Sequence, residues 1–268
     1  MSIGFWPLAA VAVMACAGAE AMSLQQPAAP PETGFQLGLH PGETMAFEVR
    51  LAGILAGEAQ LAVGQVGDVD GRPAVVVKSR AATAGAAALV KHIVDEATSV
   101  IDVATGRPLT LESLVESGDK TITASAAFAR DGVQVLYQRS QDKAPRKIKL
   151  KSGAHVIHDA HTAMADLRRW RANTGAQRSV FIIGGRRVWR VDLSCGGVTT
   201  IGSALGNRRA IRYDGRAFRA KNNLQVESTK PGRTFSVWLS DDADRVPLKL
   251  VARTELGEVV MDLTDYNR

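Results

Sequence analysis

The sequence predicts an all-β fold, a curled or closed antiparallel sheet of barrel-like shape with one packed α-helix. Apolar and polar residues alternate at period two over most of the chain, which is typical of strands with one buried face. Turn-forming residues separate these stretches, and a single segment has convincing helical periodicity. About a dozen short strands result, and a twisted sheet of that size rarely stays flat and open.

The clearest strands lie near the C-terminus, between residues 234 and 266. Three alternating stretches follow one another there, with these apolar positions: Phe235, Val237 and Leu239; Val246, Leu248, Leu250 and Ala252; Val259, Met261 and Leu263. Residues 240–244 and Leu256-Gly257 are turn formers, so we predict a three-stranded meander. Trp238 is expected to contribute to its core.

The alternation between residues 45 and 137 predicts further hairpins. Alternation from Met45 to Val63 is interrupted at Ala52-Gly53, and a second hairpin turns at residues 130–132. The continuous apolar run of residues 75–77 is typical of a strand buried on both faces. Residues 84–94 are alanine-rich and predict a short helix. Residues 96–103 and 109–115 flank a turn that ends at Pro108.

The convincing helix is predicted over residues 159–173. Asp159 is a suitable N-cap and Gly175 follows the end. An apolar stripe runs along it at helical spacing: Ala160, Ala163, Met164, Leu167 and Trp170. A helix inserted once into a β chain is expected to plug or cover the sheet. Strands are predicted again at residues 180–183, 188–193 and 208–218.

The N-terminus predicts export. Residues 3–18 are apolar and uncharged, so we assign residues 1–21 to a signal peptide, residues 22–40 to a Pro/Ala-rich tether and residues 41–268 to a single domain. The expected location is periplasmic or secreted, with no transmembrane span after signal removal. Cys16 offers an alternative, cleavage as a lipoprotein, although no basic residue precedes the apolar run.

Cysteine usage fits a domain held by its core alone. With the signal peptide removed, Cys195 is the one cysteine left, and it makes no intramolecular disulfide. It follows an alternating stretch and is expected to end a strand as a packed small residue rather than a nucleophile.

Positive charge is concentrated between residues 143 and 233, with 20 basic and 5 acidic residues. Such a region attracts phosphate or carboxylate groups, or else forms a solvated face neutralised by acidic strands. The expected partner is an anionic lipid or polysaccharide, because export excludes nucleic acid. Aromatic residues, at 5%, are too few for a stacking platform. The candidate ligand-binding residues are Lys147, Lys149, Lys151, Arg186, Arg187, Arg190, Arg208, Arg209 and Arg212.

Two further clusters could carry chemistry. His155, His158 and His161 lie within seven residues and could bind zinc or copper, or be ordinary surface residues at a helix start. Residues 240–244 contain acidic groups suited to acid–base work or calcium, but also to a hydrogen-bonded turn with Arg245 as counter-charge. Nucleophile elbows, phosphate loops and zinc-type cysteine spacings are absent, so we assign no catalytic residue, metal or cofactor.

Several short motifs together resemble the exported bacterial family known as domain of unknown function 3108. The resemblance covers about residues 41–263 and rests on these segments: Pro41-Gly42-Glu43, Gly57-Glu58-Ala59, the Ile101-Asp102 strand leading to Pro108, the Asp159 helix, Val237-Trp238-Leu239-Ser240-Asp241-Asp242, Arg245-Val246-Pro247 and Glu255-Leu256-Gly257. It implies an exported, β-rich, barrel-like domain of Gram-negative envelopes. It implies no established catalytic residues.

These observations favour a non-enzymatic envelope protein that binds or chaperones an anionic or amphipathic component. Two alternatives remain open: a hydrolase of cell-wall or surface polymer that uses Asp159, Asp241 or Asp242, and a structural subunit of an envelope assembly. The sequence makes no prediction of the oligomeric state.

Overall fold

The fold is one 15-stranded sheet with two helices, seen in a computed structural model that describes residues 37–227 and 232–268. The all-β, barrel-like prediction is confirmed. The strands are β1 (Thr44–Leu51), β2 (Ile54–Val69), β3 (Arg72–Thr83), β4 (Ile93–Asp102), β5 (Pro108–Ser117), β6 (Lys120–Ala129), β7 (Gly132–Arg139), β8 (Arg146–Lys151), β9 (Ile157–His158), β10 (Gln177–Gly184), β11 (Arg187–Ser203), β12 (Gly206–Ala220), β13 (Arg233–Ser240), β14 (Pro247–Thr254) and β15 (Gly257–Asn267).

Sequence neighbours pair in antiparallel order almost throughout. The strand order is β8-β7-β6-β5-β4-β3-β2-β1-β15-β14-β13-β12-β11-β10-β9, so pairing of β1 with β15 joins the two halves of the chain. Strand β9 pairs with β10 in parallel. The predicted meander is β13 to β15, and the predicted hairpin that contains Ala52-Gly53 is β1 and β2; both residues of this turn have positive φ.

The sheet is rolled, and β10 packs against apolar residues on both of its faces. Phe181 and Ile183 of β10 belong to a hydrophobic cluster with β5 to β8, whereas Val180 and Ile182 pack against the main core of β1 to β4 and β11 to β15. Because alternate side chains of a strand point to opposite faces, β10 lies between these two clusters. The two edges, β8 and β9, are joined by residues 152–156.

Helix α1 (Gly85–Val90) is the short helix predicted after β3, and helix α2 (Ala160–Arg169) is the predicted packed helix. Asp159 caps α2 in a capping box, accepting from the backbone N–H of Thr162. The helix is shorter than predicted, because Trp170 already has an extended conformation. Residues on nearly all sides of α2 are buried, so it fills the interior of the rolled sheet.

Two local expectations were wrong, and a third was met in part. Cys195 lies inside β11, at a bulge opposite β12, although it is buried as expected. Val76 is half-buried, so the run through Val75 and Val77 buries one face fully rather than both. Trp238 contributes to the core only in part: it is half-buried and packs against the main core, and the Arg212 guanidinium lies 5.5 Å from its ring centroid.

The residues predicted as a signal peptide, the Cys16 alternative and most of the residues predicted as a tether lie outside the described residues. Residues 37–40, which the sequence assigns to the tether, are described, and Leu37 and Leu39 are buried in the main core. Within the ranges 37–227 and 232–268, no helix combines the length and hydrophobicity that crossing a membrane requires.

Candidate functional site

An apolar pocket lies between α2 and the inner face of β10 to β14, and we call it the α2 pocket. Its lining residues are Ala160, Ala163, Met164, Leu167, Val180, Ile182, Trp189, Val191, Leu193, Ala217, Arg233, Thr234, Phe235, Val237, Leu250, Ala252, Arg253 and Thr254. Four of these are alanines, whose small side chains leave the space between the helix and the sheet unfilled. The helical stripe predicted as core is therefore also one wall of the pocket.

The α2 pocket holds about 100 Å³, less than the roughly 300–1,000 Å³ usual for small-molecule sites. Close packing of that space would stabilise the protein by about 2 kcal/mol at about 24 cal/mol per Å³. Met164 is an unbranched, adaptable side chain that can move to enlarge the space. The pocket suits a short apolar segment, and a longer one would require it to widen.

Arginines surround the open end of the pocket. Arg233 belongs to the same inward-facing series of β13 as Phe235 and Val237, and burial lowers the pKa of its guanidinium. Arg219 pairs across the sheet with the pocket residue Trp189 and forms an ion pair with Glu227 at 3.2 Å. Burial lowers the pKa of Arg187 also, and the charge of Arg219 lowers it further. This end of the pocket therefore carries several arginines, of which Arg219 is paired with Glu227 and Arg233 lies near Glu255.

The three candidate lysines form a row, which we call the lysine row, on the edge strand β8. Lys147, Lys149 and Lys151 are exposed and alternate with Ile148 and the buried Leu150. Their charges are accessible to solvent, and none of the three lines the α2 pocket. Lysines on an edge strand also discourage pairing with another chain, which gives the row a structural role as an alternative to ligand binding.

The three predicted arginines near the β10–β11 turn have different surroundings. The Arg186 guanidinium lies 5.2 Å from the ring centroid of Tyr137 on β7. The β10–β11 turn therefore contacts the strand that pairs with β8. Arg187 is near the α2 pocket, as described above. Arg190 forms an ion pair with Asp192 at 2.8 Å on the outer face of β11.

Arg190 lines a polar groove on the outside of β10 to β12, with a volume of about 500 Å³. Its other charged residues are Arg178, Asp192, Asp214 and Arg216. Asp192 and Asp214 accept hydrogen bonds from Arg190 and Arg212, so carboxylates on the protein itself balance much of the positive charge. This groove is a weaker anion site than the number of arginines suggests.

Arg208, Arg209 and Arg212 lie toward the other end of the long β11–β12 hairpin. Ile201 pairs with Arg208, whereas Val188 pairs with Ala220, which places Arg187 and Arg208 about 45 Å apart along the strand at about 3.3 Å per residue. Arg209 forms an ion pair with Asp241, and Arg212 with Asp214. The nine predicted basic residues therefore do not form one continuous surface.

A buried polar cluster holds α2 in place at the end of the sheet opposite α1. Arg168 Nη1 and Nη2 donate to Glu43 Oε1 and Oε2 at 2.6 and 3.0 Å, and both side chains are buried. Arg168 also donates to the backbone carbonyl of Asp244, and Tyr266 donates its hydroxyl proton to Glu43. Burial, together with Glu43, raises the pKa of Tyr266 to about 12.

The acidic segment between β13 and β14 is a hydrogen-bonded turn. Asp242 Oδ1 accepts from Ser240 Oγ and from the backbone N–H groups of Asp244 and Arg245 at 2.7, 3.1 and 2.9 Å. Arg245 was expected to neutralise these acids, but its side chain points inward and donates to the Tyr213 hydroxyl and the Trp170 carbonyl. The carboxylates of the hydrolase alternative have separate structural contacts: Asp159 caps α2, Asp241 pairs with Arg209, and Asp242 supports the turn.

Two of the three clustered histidines are buried, contrary to an ordinary surface role. His161 Nδ1 is hydrogen-bonded to Ser99 Oγ at 2.6 Å, and His158 lies on β9. Burial lowers the pKa of both imidazoles, that of His158 to about 4. His155 instead packs its ring 4.9 Å from that of Phe181. In the part of the chain that the structure describes, no three His, Cys, Asp or Glu side chains are grouped to hold a metal ion.

Sequence reasoning missed the α2 pocket and the role of Glu43. The stripe of Ala160, Ala163 and Met164 contains small residues where a well-packed helix would use larger ones, and this was the available signal. Arg233 was not among the predicted residues, because nothing local distinguishes it from the other exposed arginines.

Comparison with solved structures supports the fold. A β-barrel-like protein of domain of unknown function DUF1849 from Brucella abortus aligns with a TM-score of 0.54 at 8% identity, over 85% of this chain and 97% of that chain. At this identity the likeness shows the fold alone.

Two further structures align less well. A candidate exported protein with a YmcC-like fold from Bacteroides fragilis has a TM-score of 0.37 at 8% identity, covering 85% of this chain and 97% of its own. A candidate lipoprotein from Parabacteroides distasonis has a TM-score of 0.35 at 7% identity, covering 87% and 98%. Neither alignment supports a structural conclusion.

No curated protein matches this sequence. The model of a family described as protein of unknown function (DUF3108) matches residues 46–264, which include most of β1, all of β2 to β14 and most of β15. The match spans well over half of the chain and agrees with the motifs quoted above. The chain therefore belongs to the DUF3108 family.

Proposed function

We propose that this protein is a non-enzymatic envelope protein that binds an amphipathic molecule, with an apolar segment in the α2 pocket and an anionic group at the arginines of its open end. The observation that carries this proposal is an apolar pocket whose lining includes Arg233 and Arg253, with Arg219 beside the lining residue Trp189. The apolar interior suits an acyl chain, and the arginines suit the phosphate or carboxylate group that such a chain carries.

The energetics favour the apolar part of such a ligand as the source of affinity. Each buried methylene contributes about 0.8 kcal/mol, whereas an exposed ion pair contributes at most about 1 kcal/mol. Arg233 is at the pocket edge and partly desolvated, so its charge would mainly select anionic head groups. The lysines of β8 are proposed as a secondary contact for anionic polymer or head groups.

Export is part of this proposal and rests on the apolar N-terminal segment. The envelope supplies amphipathic molecules in quantity, and a rolled sheet with an internal pocket shields an acyl chain from water. The oligomeric state is not part of the proposal.

The test is native mass spectrometry, with lipid extraction, on exported protein purified without detergent. We expect a co-purifying lipid or amphiphile, and binding of a soluble short-chain fluorescent fatty acid. Ala163→Phe should fill the pocket and abolish both, while Ala127→Phe on the exposed face of β6 should leave both intact. A ligand-free mass together with no binding of the fluorescent fatty acid would refute the proposal.

The anionic preference is tested separately with Arg233→Glu. This variant should weaken binding of the fatty acid more than that of an uncharged alcohol of equal chain length. Arg72→Glu, an exposed arginine at the opposite end of the sheet, is the matched control. Equal loss for acid and alcohol would assign Arg233 a steric role only.

A further inference from the structure

Exposed apolar side chains are concentrated at the end of the sheet where the α2 pocket opens. Among the described residues, seven large hydrophobic side chains are exposed, and four of them are at this end: Ile54 at 68%, Leu89 at 91%, Val90 at 88% and Leu256 at 50%. They lie at the start of β2, on α1 and in the β14–β15 turn. The other three, Val66, Leu136 and Val198, are scattered on the strands.

The three elements that carry these side chains are neighbours. Ala84 donates its backbone N–H to the carbonyl of Ala56, which places the start of α1 beside β2. Ala52 donates its N–H to the carbonyl of Glu258, which places the β1–β2 turn beside the β14–β15 turn. The exposed apolar residues therefore form an arc, which we call the apolar rim: Ile54, Leu89, Val90 and Leu256.

The apolar rim continues directly into the pocket. Strand β14 ends with Arg253 and Thr254, both pocket residues, just before Leu256. Arg233 begins the adjacent strand β13, on the opposite side of β14 from β15. A chain that enters the α2 pocket therefore passes next to the apolar rim.

Helix α1 is built for exposure rather than for the core. None of its residues is buried, although its sequence is Gly-Ala-Ala-Ala-Leu-Val. Soluble domains seldom place adjacent large apolar side chains at nearly full exposure without a partner. Lys91 follows the helix, Arg253 and Arg233 line the pocket at the end of β14 and the start of β13, and Glu255 is the acidic residue of the β14–β15 turn.

We propose that the apolar rim inserts into the surface of a lipid membrane with anionic head groups and holds the mouth of the α2 pocket against it. Shallow insertion of a few apolar side chains, flanked by cations, is how non-spanning proteins bind a bilayer. The geometry favours this partner over a second protein because the exposed side chains are at turn tips and a short helix. This inference rests on the proposed function, since it supplies the route by which an amphipathic ligand would enter.

The test is flotation of the exported protein with vesicles of phosphatidylethanolamine and phosphatidylglycerol. The rim variant Ile54→Ser/Leu89→Ser/Leu256→Ser is compared with the matched control Val66→Ser/Leu136→Ser/Val198→Ser, which removes the same number of exposed apolar side chains elsewhere. We expect the rim variant to bind vesicles about tenfold or more weakly and the control to bind as the unmodified protein does. Both variants change exposed residues, and circular dichroism checks that they fold.

The outcomes distinguish this inference from the proposed function. Retained binding of the soluble fluorescent fatty acid by a rim variant that no longer binds vesicles supports both. Equal vesicle binding by the rim variant and its control, or no vesicle binding by the unmodified protein, overturns the membrane inference alone. A dimer of the unmodified protein that the rim substitutions dissociate, without vesicle binding, also overturns it and identifies a second copy as the occupant. If the unmodified protein and both variants all fail to bind the fluorescent fatty acid, the proposed function is refuted, whatever the result with vesicles.

Discussion

Glu43 and Arg168 are 125 residues apart in sequence and form a two-point ion pair in the interior, with Nη1–Oε1 and Nη2–Oε2 distances of 2.6 and 3.0 Å. Glu43 belongs to the Pro-Gly-Glu motif before β1, and Arg168 is in the last turn of α2. Arg168 also donates to the carbonyl of Asp244, which lies in the turn between the motifs of residues 237–242 and 245–247. Two motifs that carry the family resemblance thus meet at the helix they hold in place.

Removing one member of this pair should destabilise the fold. Glu43→Gln leaves the Arg168 charge buried without its counter-ion, so we expect the free energy of unfolding in urea to fall by about 3–5 kcal/mol. Replacing both, as Glu43→Gln/Arg168→Met, should cost less than the sum of the single changes. The exposed pair Arg50 and Glu48 is the control, and Arg50→Ala should cost less than about 1 kcal/mol. A small effect of Glu43→Gln would contradict the assigned role.

Asp242 should matter more for stability than its neighbour Asp241. Asp242→Ala removes three hydrogen bonds that order the β13–β14 turn, so we expect a loss of about 1–3 kcal/mol in thermal or urea unfolding. Asp241 pairs with the exposed Arg209, and Asp241→Ala should cost less than about 1 kcal/mol. If the two variants were equally stable, the turn would not depend on Asp242.

Acid should destabilise the protein through His158. Burial lowers the pKa of this imidazole from 6.5 to about 4, so the unfolded chain binds a proton that the folded chain does not between those pH values. Stability is therefore lost as pH falls from about 6.5 towards 4, by up to about 3 kcal/mol from this group. His158→Gln should flatten the acid side of the stability curve measured by urea unfolding, while His92→Gln, at an exposed position, should not.

Asp95 should have the opposite pH dependence. Its side chain is buried on the inner face of β4, and burial raises its pKa from 3.8 to about 7. The folded protein then binds the extra proton between about pH 4 and 7, so this group stabilises the fold as pH falls through 7 and destabilises it above. Asp95→Asn should raise the free energy of unfolding at pH 8, by up to about 4 kcal/mol, and by much less at pH 4. If Asp95→Asn changed the free energy of unfolding equally at pH 8 and at pH 4, the result would argue against a buried, protonated carboxyl group.

Much of the fold could be predicted from the sequence, since the signals are local. Period-two alternation in β13 to β15 predicted both the strands and their buried faces, and turn formers fixed the hairpin connections. The helix was predicted from Asp159 and its apolar stripe, but its end was not, because Trp170 leaves the helix to reach tertiary contacts with Tyr213 and Arg245.

The candidate site was predicted only in part. Charge counting identified Arg187, which lies near the pocket, but grouped it with Arg208, which the long β11–β12 hairpin places at the other end of the strand pair. Composition gives the number of charges in a segment, whereas carboxylates such as Asp192 and Asp214, which neutralise them, are identified only by folded geometry.

The sequence by itself determined which residues form strands, where the chain turns, and which faces are apolar, because these depend on neighbours within a few positions. Tertiary structure alone decided that β1 pairs with β15, that Arg168 meets Glu43, and that alanines on α2 line an unfilled space between the helix and the sheet. Those relationships join residues far apart in the chain, and their energies come from burial and packing that no local pattern records.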